Sequence, residues 1–199
     1  MKQVLSSIFA LLVALSYAQS DDCRTATQLT PSFATCNFQA GSSANASQSL
    51  PTCSGGGNAD DDIWYYFVAN SSSTSITVDP TIGYDAVIQL FSGTCGSLVS
   101  IDCEDINGVN GDEELVAKGL SIGATYYIRV YHYGVGSGTS TFNICVSGIP
   151  SPTNNTPCAA FALPNVTQSC NYLTYTNAGS LGSGVATPSG CEEYGYQNS

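Results

Sequence analysis

The chain has 199 residues, and only 10% of them are charged: four basic against fifteen acidic, for a formal charge of −11. Nucleic acids and anionic membrane surfaces are recognised through clusters of Lys and Arg, so this balance excludes both as partners. With one histidine, His132, neither a two-histidine metal triad nor an H-E-x-x-H helix can be built, and no G-x-S-x-G elbow occurs.

At the N-terminus, Lys2 precedes an apolar run over residues 4–15 and the small-x-small site Ser16-Tyr17-Ala18. This is the pattern of a cleaved secretory signal covering 1–18, with the apolar run too short to span a bilayer. The mature chain then starts near Gln19, and Arg24, Lys118 and Arg129 are its basic residues. No later stretch is apolar enough to insert in a membrane, so a secreted, extracellular chain is expected, with cell-surface attachment left open. Nine cysteines in such a chain point to disulfides, because that compartment is oxidising.

The stretch Asp60-Asp61-Asp62-Ile63-Trp64-Tyr65-Tyr66-Phe67-Val68 organises the rest of the chain. The three carboxylates are expected at a wet edge, since burying charge is expensive. Ile63, Tyr65 and Phe67 project to one side of a strand and Trp64, Tyr66 and Val68 to the other, as in a central strand of a sandwich core. Further strands are expected at 75–79, 84–91, 97–102, 114–117, 125–133 and 139–146, with shorter ones within 25–30 and 34–40. Gly, Pro, Asn and Asp punctuate nearly every gap, and no segment sustains helical periodicity. The pattern reads as all-β: an antiparallel, jelly-roll-like β-sandwich over 21–147.

Beyond it, 148–156 reads as a Pro/Ser/Thr/Asn linker. Cys158, Cys170 and Cys191 repeat the order of Cys23, Cys36 and Cys53, and Asn177-Ala178 echoes Asn45-Ala46. Residues 157–199 are therefore expected to open a second module, with the chain a fragment of a longer tandem protein. The cysteines divide as six plus three. Spacing favours Cys95–Cys103 across a turn, Cys36–Cys53, and Cys23–Cys145 joining first strand to last, with Cys170 and Cys191 echoing Cys36 and Cys53. Six cysteines nevertheless allow fifteen connectivities.

Two surface readings compete with plain structural ones. Asp60, Asp61 and Asp62, and the run Asp102, Glu104, Asp105, Asp112, Glu113 and Glu114 with Asn107 and Asn110, offer clustered oxygen ligands of the kind calcium takes, although Val109 breaks the strict calcium-loop pattern. The competing reading is a solvated turn. Along 125–133, Tyr126, Ile128 and Val130 alternate with Tyr127, Arg129, Tyr131 and Tyr133. If the first set faces the core, the second is an exposed stripe able to bind carbohydrate or protein. Otherwise it packs beneath a loop. No cofactor beyond possible calcium is implied, and the acids fall in turns and strand ends, so no enzyme activity is expected.

The motif series Asp22-Cys23, Cys53, Asp62-Ile63-Trp64-Tyr65-Tyr66-Phe67, Tyr84-Asp85-Ala86-Val87, Phe91-Ser92-Gly93-Thr94-Cys95-Gly96, Tyr126-Tyr127-Ile128-Arg129-Val130 and Phe142-Asn143-Ile144-Cys145-Val146 resembles the bacterial pre-peptidase C-terminal-like β-sandwich modules of secreted and surface proteins. That resemblance implies a non-catalytic accessory or adhesion module whose neighbours are other modules of the same polypeptide. Two alternatives stay open: an accessory or pro-domain of a secreted hydrolase, and a carbohydrate-binding module.

Overall fold

The computed structural model describes residues 20–153, apart from 34, 54–55 and 136–139. The segments expected as signal peptide and second module, with Cys170 and Cys191, lie outside the described residues. A short 3₁₀ turn at Cys23–Thr25, capped by Asp22, leads into nine strands. These are β1 (Thr27–Gln28), β2 (Gln39–Ser42), β3 (Ile63–Val68), β4 (Ser73–Pro80), β5 (Ala86–Thr94), β6 (Ser97–Glu104), β7 (Glu113–Lys118), β8 (Thr125–His132) and β9 (Thr141–Ile149). They form a five-stranded sheet in the order β1-β3-β8-β5-β6 and a four-stranded sheet in the order β2-β9-β4-β7. Every named pairing is antiparallel except β1 with β3. The chain is an antiparallel β-sandwich, as the strand pattern indicates. Its last strand runs through Gly148 and Ile149, into the stretch expected as linker.

Side-chain alternation decides what lies between the sheets. Ile63, Tyr65 and Phe67 of β3 sit opposite Val130, Ile128 and Tyr126 of β8, and all six belong to the inter-sheet core with Ile88, Leu90, Ile76, Leu115 and Ile144. The intervening residues face outward, and in a bare sandwich they would meet water. Here several of them are covered, although Val68 stays exposed. Trp64, only 1% exposed, packs with Cys23 and Phe91, while Tyr131 and Val87 pack with Cys53 and Ala59. The five-stranded sheet is thus apolar on both faces because the N-terminal turn and the long β2–β3 connection lie across its outside.

The three disulfides differ from the pairing that spacing favours. Cys23 bonds Cys95, Cys36 bonds Cys145 and Cys53 bonds Cys103, with Cα–Cα distances of 5.5, 5.5 and 6.3 Å. Cys95 lies in the hairpin turn between Thr94 and Ser97, whereas Cys103 pairs with Gln89 far along the ladder. Eight extended residues span about 26 Å, well beyond what a disulfide bridges. Cys23 sits in the 3₁₀ turn outside the five-stranded sheet and Cys145 in β9 of the other sheet, so that staple is excluded too. Cys36 reaches β9 rather than Cys53. Two bonds therefore fasten the outer covering to the β5–β6 hairpin, and the third ties the β1–β2 connection to β9.

Candidate functional site

The richest polar constellation lies beneath that covering. Arg129 of β8 and Asp62, just before β3, are both 0% exposed. Arg129 Nε donates to Asp62 Oδ2 at 2.7 Å, and its Nη1 donates to the Pro51 carbonyl at 2.7 Å and to Gln89 Oε1 at 3.3 Å. Its Nη2 donates to the Leu50 carbonyl and to the same Asp62 oxygen. Ser49 N donates to Asp62 Oδ2 at 3.0 Å, and the Trp64 indole donates to Ser49 Oγ at 2.9 Å. The guanidinium also stands 4.9 Å from the Tyr131 ring centroid. Every Arg129 nitrogen thus meets an acceptor within the protein, so the group clamps the β2–β3 connection onto the sheet.

The neighbouring carboxylates are engaged separately. Asp61 Oδ2 accepts from Ser43 Oγ at 2.7 Å and its Oδ1 from His132 N at 3.0 Å. Burial still pushes the Asp61 carboxyl above its ordinary value against those two bonds. Asp60 accepts from the Asn58 side chain at 3.2 Å. The expectation of a wet edge for this trio fails at Asp61 and Asp62, because the connection folds back over them and supplies donors. The three side chains turn to separate partners: Asp60 to Asn58, Asp61 to Ser43 and His132, and Asp62 to Arg129 and Ser49.

The second acidic run makes its contacts locally, within and beside the β6–β7 turn. Asp102 Oδ1 accepts from the adjacent Cys103 amide at 2.9 Å, and burial together with Asp102 raises the Glu104 carboxyl. Asp105 is raised by burial and by Asp85. Asp112 contributes its backbone carbonyl to Asn107 Nδ2 at 2.7 Å. Glu113 is fully buried and accepts from the Ile106 and Asn107 amides at 2.9 and 2.5 Å, shaping the β6–β7 turn. Among the described residues no three His, Cys, Asp or Glu side chains form a metal-holding group.

The exposed Tyr/Arg stripe is corrected as well. Arg129 and Tyr131 are buried, Tyr127 is half-buried and only Tyr133 is exposed. The stripe packs beneath a loop, the structural alternative. Tyr131 Oη receives the Cys53 amide at 3.3 Å, and Tyr127 packs against the Trp64 cluster.

A different feature remains open to solvent. A cleft of about 650 Å³ lies where β1 and β2, the end strands of the two sheets, come together on one flank. All four residues of β2 line it, with Thr27, Ile63 and Tyr65 opposite, and among the described residues no charged side chain lines it. Tyr65 is 3% exposed, and burial alone raises its hydroxyl, with no hydrogen bond to oppose the shift. A Cβ on Gly41 would come within 2.3 Å of that hydroxyl, so glycine is what lets Tyr65 reach the cleft. The sequence signal was faint: a glycine in a weak strand, opposite a core tyrosine.

A two-sheet antiparallel sandwich with its outer face strapped by disulfides is the frame of a β-sandwich module. Residues 19–144 match the T9SS-associated family described as galactose binding domain-like, and the chain belongs to that family. Among solved structures it is similar to the pre-peptidase C-terminal domain of collagenase from Bacillus anthracis. The two share 21% identity with a TM-score of 0.39, over 61% of this chain and 93% of that one. No curated protein matches the chain. Among the described residues no helix is long and apolar enough to cross a membrane.

Proposed function

We propose that this chain serves as a non-catalytic accessory module of a larger extracellular protein, holding or positioning neighbouring modules, with attachment to the cell surface. The observation that carries this reading is the Asp62–Arg129 clamp. The charged groups best placed for chemistry are sealed from solvent, with every guanidinium nitrogen of Arg129 bonded to Asp62, Gln89 or loop carbonyls. A catalytic carboxylate or arginine has to meet substrate, and these meet only the fold. Membership of a T9SS-associated family and three disulfides support export. The tyrosine stripe lends no surface to the carbohydrate alternative, because two of its four members are buried.

The test is direct. The purified chain is expected to turn over none of a panel of chromogenic peptide, ester and glycoside substrates, and a tagged copy in its producing cells to be recovered outside the cytoplasm. Turnover that disappears in Asp61→Asn or Asp85→Asn would show that one of these carboxylates is catalytic and overturn the proposal.

A further inference from the structure

A buried phenol normally finds a hydrogen-bond partner, and the other buried tyrosines of this fold do. The Tyr84 hydroxyl meets Ser43 Oγ at 3.2 Å, that of Tyr126 receives Ser121 N at 2.9 Å, and that of Tyr131 receives Cys53 N at 3.3 Å. Tyr65 is as deeply enclosed, 3% exposed, and lines the flank cleft, yet among the described residues nothing bonds its hydroxyl. Gly41, also in the lining, keeps the space before that hydroxyl clear: a Cβ there would stand 2.3 Å from Tyr65 Oη and 2.6 Å from the Phe142 ring. The fold thus buries a polar group and leaves its bond to be made from the cleft.

The rest of the lining says what would meet it. The Ser20 and Thr27 hydroxyls bond each other at 2.6 Å and close one wall. Ser42 Oγ accepts from Ala44 N at 3.2 Å, which leaves its own proton to donate. The carboxamides of Gln39 and Asn45, both exposed residues of the lining, each carry a donor and an acceptor side by side. Asn45 is held at φ 62° in the turn that Ala46 N closes onto the Ser43 carbonyl at 3.0 Å. Adjacent hydroxyls of a sugar ring or polyol donate and accept in the same side-by-side way, whereas an ammonium only donates and a carboxylate only accepts. Ile63, Ala40 and Ala44 supply apolar surface for the C–H faces of such a ligand. A volume of about 650 Å³ lies in the range of small-molecule sites.

We propose that the flank cleft binds a small neutral sugar or polyol, with one ligand hydroxyl bonded to Tyr65 Oη and a neighbouring pair bonded to the amides of Gln39 and Asn45. This goes beyond the accessory role, which stands or falls separately on turnover and location.

The full chain is titrated by calorimetry with glucose, galactose, mannose, xylose, N-acetylglucosamine, glycerol and mannitol. At least one is expected to bind. Tyr65→Phe removes only the unpartnered hydroxyl, so it should weaken that binding by roughly tenfold while the melting temperature of the free protein stays unchanged. Gln39→Ala with Asn45→Gly, which keeps the backbone of residue 45 at ease, should weaken it by a similar factor. The proposal is overturned if none of the panel binds, or if either variant binds as tightly as the parent. A drop in melting temperature on Tyr65→Phe would also overturn it, since the hydroxyl would then serve the fold. So would displacement of the bound sugar by a blocked, uncharged tripeptide, which would make amides rather than hydroxyls the ligand chemistry.

Discussion

At the scale of single residues, the buried ion pair is the feature whose loss should be felt most. Arg129 and Asp62 are both fully enclosed. Removing one partner strands the other charge in a poorly solvated site, typically at about 3–5 kcal/mol. Arg129→Met is therefore expected to lower unfolding free energy by about that amount, read from the denaturant midpoint at unchanged slope. Asp62→Leu combined with Arg129→Met should recover much of the loss, since no charge is then left alone. A double variant as unstable as the single would show that the carbonyl contacts at Leu50 and Pro51, not the charge pair, hold the loop. The pair was hard to see in the sequence. Arg129 alternates with core residues, which places it on the outer face, and nothing local says that a connection more than sixty residues upstream in the sequence returns to cover that face. The available hint was compositional. With so few basic residues, one set between Ile128 and Val130 in an apolar strand needs a buried acceptor or open water, and Asp62 adjoins the strand it pairs with.

At the scale of elements, strands were legible and their covering was not. β3 was readable to the residue, because six consecutive apolar and aromatic positions follow three carboxylates. β5 and β8 were readable because their periodicity is set by packing against both faces. β1, two residues long, and β2 carry little apolar pattern, since they are edge strands held by their neighbours. Disulfide connectivity was out of reach, because it depends on which sheet each cysteine joins, and sheet membership is a long-range property. The observed pairing makes a sharp prediction. Cys23–Cys95 holds the cover over Trp64, and its loop of 72 residues is worth about 4 kcal/mol on the chain-entropy estimate. Cys23→Ala with Cys95→Ala should red-shift the emission of the lone tryptophan under native conditions and raise its quenching by acrylamide. Cys36→Ala with Cys145→Ala, on the opposite sheet, should destabilise the fold but leave native emission in place. Equal shifts in both variants would mean that the cover is held by packing rather than by its bond. The hairpin between β5 and β6 supplies an independent check. Gly93 has φ +95°, and a Cβ there would stand 2.3 Å from the Ser97 carbonyl oxygen. Gly93→Ala is thus expected to lower the melting temperature, with a penalty above the ordinary ~1 kcal/mol glycine effect.

For the whole molecule, the excess of acid becomes a statement about pH. Asp61, Asp85, Glu104, Asp105 and Glu113 all hold their protons more tightly in the folded state, burial being the leading cause for each. Mutual repulsion adds to it where Asp85, Asp105 and Glu113 approach one another. A carboxyl raised on folding binds more protons in the native than in the unfolded state between its two pKa values. Stability then falls as pH rises through that interval. The contribution is present in full below the ordinary values of 3.8 for Asp and 4.5 for Glu and is lost as each folded-state pKa is passed. Partial exposure of Asp85, Glu104 and Asp105 weakens their share through solvent screening, so the fully buried Glu113 and the nearly buried Asp61 should dominate. Thermal melts stepped from below pH 3.8 to neutrality are expected to show the midpoint declining with rising pH across and above the carboxylate range. Many proteins lose stability on the acid side instead, because their carboxylates are stabilised in the charged form. Asp61→Asn should flatten the decline, since Asn keeps an acceptor for Ser43 Oγ while removing the titration. Added salt should flatten it further by screening the repulsion among Asp85, Asp105 and Glu113. A midpoint that climbs from acid to neutral pH would mean that the hydrogen bonds from Ser43, His132, Ile106 and Asn107 outweigh burial. The acidic loops would then be stabilised by their charge rather than strained by it.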